Sequence, residues 1–240
     1  MIFKFLLVFL SLGFVTKILG ELVHEILGHG LFVVAFGGRI TSIHISLLWP
    51  YELSSIGFAP PSTGFLSWQE VLVDGGGILM CLIVSFILQA ILLSSVSKRA
   101  HWVVSATLFW LACWTFLNPA GYLVIGGIKP FGDVANLISA GVMTQELSLI
   151  LGLLTFLVSL FTLSMILRNI LSKAGINQDA RWSIALFWLI IPLLTLFSVV
   201  GLGQPLIVAL LGFIPVLAAC TGLILYNVIL SRRKNRETRG

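Results

Sequence analysis

The sequence predicts an all-α polytopic membrane protein of about six transmembrane helices, with a small β-hairpin or edge-strand segment between the first two. Three observations carry this reading. Of 240 residues, 58% are hydrophobic and 10% charged, and the mean hydropathy is +1.10; a soluble domain usually carries about 25% charged residues. So few charges cannot clothe a water-facing surface, which excludes a soluble globular enzyme, and the apolar content excludes disorder. The apolar residues also fall into six runs, near 2–37, 70–96, 102–127, 146–171, 181–201 and 204–231. About 20 apolar residues cross a bilayer as a helix, and in lipid a lone segment must close its own backbone hydrogen bonds, which a helix does.

The first run is long for one span. It contains no clear small-x-small cleavage site after Lys4 and Phe5 to Val15, so it reads as a span and not as a cleaved leader. The next segment has another texture: polar and β-branched residues alternate from Arg39 to Ser46, and Pro50, Gly57, Pro60 and Pro61 punctuate the stretch from there to the second span. That alternation predicts a short hairpin or edge strands. A second linker, Gly126 to Gln145, contains Lys129-Pro130-Phe131-Gly132-Asp133. Three further helices occupy 141–231, and 232–240 are a basic tail. Trp49, Trp68 and Trp102 suit interfacial anchoring. Cys81, Cys113 and Cys220 lie inside apolar runs, too far apart for a C-x-x-C pair, and read as packing residues.

The net charge of +5 points to membrane topology, not to nucleic acid. Six spans place both termini on one side. That side holds eleven basic residues (Lys4, Lys98, Arg99, Arg168, Lys173, Arg181 and five in the tail) against Arg39 and Lys129 on the other. The positive-inside rule then assigns both termini to the cytoplasm.

The chemistry sits in span one, in Glu21-Leu-Val-His24-Glu25-Ile-Leu-Gly28-His29-Gly30. Ionisable groups inside a membrane helix are functional candidates by default. Two imidazoles with an adjacent Glu suit Zn²⁺, one ion per chain: His24 and His29 bind the metal and Glu25 serves as base. The usual helical form is H-E-x-x-H; here the spacing is one residue longer. On a regular α-helix His24 and His29 stand about 140° apart. A π-bulge absorbs the extra residue and returns the second imidazole over the first. The same six-residue form, with His-Glu and a closing His, is known in the soluble dipeptidyl-peptidase III family.

A wider stretch, Val23 to Ile43 with its Gly37-Gly38 pair, resembles the first core helix and edge strand of site-2-protease-type intramembrane metalloproteases. The resemblance extends to Asp74-Gly-Gly-Gly-Ile-Leu-Met-Cys-Leu-Ile-Val at the second span and to Phe116-Leu-Asn118-Pro119-Ala-Gly-Tyr122 in the third. It covers roughly residues 1–140. It implies a zinc-dependent intramembrane endopeptidase acting on a peptide bond in or near a transmembrane segment of a membrane-protein substrate. It implies substrate binding by Asn118, strand addition at the 40–58 segment, and an aspartate as third ligand. The family's Leu-Asp-Gly is missing: the first acid after Asn118 is Asp133. Asp133 therefore takes the third-ligand role, with Asp74 as alternate ligand and His44 as a remoter one. Spans one and three run in the same direction, so His24, His29, Asn118 and Asp133 lie towards one membrane face. Better-known members open their site to the cytoplasm; the charge count here places that end on the opposite side.

Each role has a competitor. Asp133 precedes Val134-Ala-Asn-Leu-Ile and suits a helix N-cap. Asn118 suits a helix end before Pro119. Glu21 suits either an outer partner that orients an imidazole or a solvated or helix-paired carboxylate. The whole cluster also suits a non-hydrolytic membrane protein: an inactive protease relative acting as a scaffold, or a metal or proton transporter.

Overall fold

A computed structural model describes residues 2–46, 54–94, 99–176 and 217–229, with isolated positions 184, 188 and 232. The chain opens with α1 (Ile2–Leu22), passes without a break into a π-helical segment (Val23–Gly30), and returns to α-helix in α2 (Leu31–Ala35). The continuous rod from Phe3 to Ala35 is roughly 50 Å long at about 1.5 Å per residue, more than the ~30 Å of a hydrocarbon core. It ends at Gly37, whose φ is +81°. The Gly38 N–H donates to Val33 O at 2.9 Å and the Gly37 N–H to Val34 O at 3.1 Å. This is the paired helix-end motif that a left-handed glycine completes, and it turns the chain back along the rod.

The returning chain forms β1 (Arg39–His44) and β2 (Ser55–Ala59), an antiparallel pair from Arg39↔Ala59 to His44↔Ser55. A bulge at Thr41 lies between the Ile40↔Phe58 and Ser42↔Gly57 pairs. The hairpin expected from the alternation is therefore present.

Three long helices come after it: α3 (Ser67–Leu93), α4 (Trp102–Ile128) and, after the short α5 (Gly132–Ser139), α6 (Gln145–Lys173). Local chemistry sets their starts. Gln69 Oε1 accepts from the Leu66 N–H ahead of α3 at 2.9 Å. Thr144 Oγ1 accepts from the Leu147 N–H at the head of α6 at 3.2 Å. Both satisfy donors that a helix N-terminus leaves open. A further helix, α7 (Leu217–Ile229), is apolar but shorter.

The rod, α3, α4 and α6 are each long and apolar enough to cross a membrane, and the protein is read as an integral membrane protein. The expected span at 181–201 and most of that at 204–231 lie outside the described residues. Helix α4 runs through Pro119 to Ile128, so Asn118 does not end a helix. A proline inside a membrane helix is tolerated where neighbours re-satisfy the freed backbone groups. The core is apolar: Phe5, Phe9, Phe109, Phe116, Phe156 and Leu160 are buried between α1, α4 and α6. Trp114 packs on Gly20 and Tyr122 lies over His24, so α1 and α4 run parallel, as the six-span reading requires.

Candidate metal centre

The π-helical segment determines how the motif is presented. The Leu31 N–H donates to Ile26 O, five residues back, and in such i→i+5 geometry residues five apart come over one another. His24 and His29 are that pair. Their ring centroids are 5.0 Å apart and their Nε2 atoms 3.3 Å apart. The wider turn extends over all eight residues from Val23 to Gly30, more than the single bulge that the spacing demands.

Helix α3 closes one side. It crosses the π segment where Gly28 meets Gly76 and Gly77, so closely that a Cβ on Gly28 would lie 2.5 Å from Gly77 Cα. A Cβ on Gly77 would lie 2.5 Å from His24 Cε1 and 2.6 Å from His29 Nε2. The glycine is therefore the wall of the site. The same helix orients both rings. His29 Nδ1 lies 2.6 Å from Val73 O; a carbonyl only accepts, so Nδ1 carries the proton and Nε2 is left with its lone pair. His24 Nδ1 lies 3.9 Å from Cys81 Sγ, a weaker contact in which the thiol can donate or accept.

Asp133 completes the group from α5. Its Oδ2 lies 3.3 Å from His24 Nε2 and 3.5 Å from His29 Nε2. Phe131 holds the N-cap position and Gly132 opens the helix, with no side-chain cap. Asp133 therefore sits in the first turn and faces the histidines, and does not cap the helix.

The three ligand atoms of His24, His29 and Asp133 lie within 4.8 Å of one another, and the group could hold a metal ion. The donor set fits one. Two imidazole nitrogens and a carboxylate oxygen suit a first-row divalent ion. Asp133 Oδ2 is buried without a hydrogen-bond partner among the described residues, and such an atom calls for an ion or a water.

The other expected residues take varied positions. Glu25 is buried and within electrostatic reach of His24, His29 and Asp133. Glu21 lies 3.7 Å from the Lys17 ammonium, which is the helix-paired arrangement. Asp74 is outside the three-ligand group, with the Asn136 side chain of α5 near it. His44 is exposed on β1, also outside the group. Asn118 Oδ1 is buried with no hydrogen-bond partner among the described residues. It lies one turn before Tyr122, whose ring centroid is 5.5 Å from that of His24.

Sequence reasoning misses Cys81, Gly77 and Tyr122 as neighbours of the site. Gly77 and Cys81 are four apart and so share a face of α3, the signal that finds the cysteine once the glycine is placed. The orientation of His24 by Cys81 has a measurable consequence. Cys81→Ala is expected to weaken metal binding by roughly tenfold, the low end for a group that orients a ligand, because a thiol hydrogen-bonds weakly. Competition against a chromogenic chelator measures this; unchanged affinity would mean that His24 is held by Tyr122 and the backbone alone. In comparisons with protein-family models, with curated proteins and with solved structures, none matches this chain.

Proposed function

We propose that the protein is a zinc-dependent intramembrane endopeptidase that hydrolyses a peptide bond in or near a transmembrane segment of a membrane-protein substrate. The observation that carries this reading is the convergence of His24, His29 and Asp133 inside an apolar helix bundle, with the Glu25 carboxylate buried beside them. Intramembrane ionisable groups are costly and are retained for function. Zinc held by these three side chains supplies Lewis acidity that polarises a scissile carbonyl and activates water for attack. Glu25 takes the proton of the attacking water and delivers it to the leaving amine. Gly77 keeps the space over the imidazoles open, Val73 O fixes the tautomer of His29, and Cys81 Sγ lies beside His24 Nδ1. Asn118, whose buried carbonyl oxygen has no hydrogen-bond partner among the described residues, accepts a hydrogen bond from a substrate backbone N–H in this reading. A transmembrane helix must unwind before its carbonyls can be attacked; an edge of the β1–β2 hairpin, unpaired among the described residues, can receive the unwound stretch by strand addition. The reading extends to six spans in a multi-pass protein with both termini in the cytoplasm, the arrangement that the charge asymmetry favours.

The test is cleavage of single-span peptides co-reconstituted in liposomes, with mass spectrometry of new termini. Expected are zinc-dependent cuts within or beside the span, abolished by a chelator and restored by zinc. Cuts that persist in chelator would overturn the metal mechanism. Absence of cuts in a metal-loaded protein would favour the scaffold reading.

A further inference from the structure

One more intramembrane charge, Lys17, has no part in that mechanism. It is buried in α1, two turns before His24, with 6% of its surface exposed. Its ammonium donates to Ser46 O at 2.5 Å and lies 3.7 Å from Glu21 Oε1. Ser46 lies just beyond β1 and is fully buried. Its N–H donates to Ser54 Oγ at 3.1 Å, which ties the two arms together beyond the last ladder pair, His44↔Ser55. A second contact ties the two arms to the helix: Ile40 of β1 and Ile56 of β2 pack onto Gly30, each with its Cδ1 3.2 Å from where a Cβ would stand.

Gly30 and Lys17 are thirteen residues apart along the helix, about 20 Å at ~1.5 Å per residue. Ile40 is six residues from Ser46, and Ile43, opposite Ile56, is three, so the strand covers about 10–20 Å of that length at ~3.3 Å per residue. The hairpin is therefore strapped along the stretch of helix that carries His24, Glu25 and His29. An apolar side chain at position 17 could pack there, but it could not supply a donor to a backbone carbonyl that lipid leaves unsatisfied. The ammonium supplies it, and Glu21 balances the charge.

We propose that Lys17 is a positioning residue: through Ser46 it holds both arms of the β1–β2 hairpin in fixed register beside the metal motif, and so sets where an extended substrate segment lies relative to Glu25. The second half of this proposal rests on the protease reading; the first half does not. Lys17 touches neither the ligand group nor the reacting atoms.

The experiment uses the full chain in nanodiscs and reads amide hydrogen exchange over 39–46 and 54–59, metal content, and KM and kcat for a cleaved single-span peptide. In Lys17→Met/Glu21→Gln, which leaves no unpaired carboxylate, exchange in both arms should accelerate by between about tenfold and 100-fold, the range for losing a charged hydrogen bond. Metal content should stay at the wild-type level, and KM should rise with little change in kcat. Lys17→Arg should restore slow exchange and most of the KM. Ser54→Ala, which keeps Lys17, should accelerate 54–59 and the Ser46 amide, whose acceptor it removes, and leave 39–45 slow. Unchanged exchange in the double variant overturns the proposal whatever cleavage shows. So does equal acceleration of both arms in Ser54→Ala, because the hairpin would then be held by its own ladder. A wild type that cleaves nothing overturns the protease reading, and the exchange data still decide the role of Lys17.

Discussion

Glu25→Gln is expected to leave about one metal ion bound per chain and to lower cleavage by about 10²–10⁴-fold, the usual contribution of a positioned general base. The reasoning is geometric. Glu25 is buried beside the ligand group, but the three ligand atoms that converge are those of His24, His29 and Asp133. Glutamine keeps the volume and removes the ability to take a proton, so the metal stays and the proton transfer is lost. Cleavage rate and metal content measured on the same preparation separate the readings. A scaffold would show no difference between wild type and variant in partner binding. Loss of metal in Glu25→Gln would mean that Glu25 is itself a ligand.

Gly77→Ala should weaken metal binding without removing any ligand. A Cβ there would lie 2.5–2.6 Å from the ring atoms of His24 and His29, closer than side-chain carbons approach, so at least one imidazole has to move. Overpacking of a close-packed site costs about 1–3 kcal/mol, which at ~1.4 kcal/mol per decade is roughly fivefold to 150-fold in metal affinity. Gly121→Ala on α4 is the matched control, because a Cβ there meets nothing within 4 Å; its affinity should equal that of wild type. Chelator competition measures both. Equal affinity for Gly77→Ala and Gly121→Ala would show that α3 is not the wall of the site.

Much of the fold is legible in the sequence because bilayer physics leaves few options. The apolar runs predict helices long enough to cross, and among the described residues four helices have that length and composition. The alternation after Arg39 predicts the hairpin, and the Gly37-Gly38 pair ends the first helix as such pairs do. The spacing of His24 and His29 also carries its own geometry: five residues align only on a π-type helix, and that is the helix found. Chain direction puts Asp133 towards the same membrane face as the histidines, since spans one and three run parallel; its approach to their rings is seen only in the structure. What lies out of reach depends on the register between helices, which no single segment encodes. Nothing in the sequence says that Gly77 and not Gly75 faces the imidazoles, or that Cys81 meets His24. Nor does it say that Lys17 reaches Ser46. The sequence leaves two alternatives for Glu21, and the i,i+4 rule for helix pairs favours the one found, its pairing with Lys17. Asn118 misleads in one respect: proline usually ends a soluble helix, whereas α4 continues through Pro119 to Ile128.

The central claim is that His24, His29 and Asp133 form one metal centre, and metal content of the purified protein tests it most directly. Wild type should carry about one zinc per chain, and both His29→Ala and Asp133→Ala should lose it, with helix content by circular dichroism unchanged. Zinc retained in Asp133→Ala but lost in His29→Ala would move the third ligand to another acid, with Asp74 the first to test. A folded wild-type protein that takes up no zinc, even when zinc is supplied throughout purification, would contradict the metal centre and the hydrolytic mechanism together.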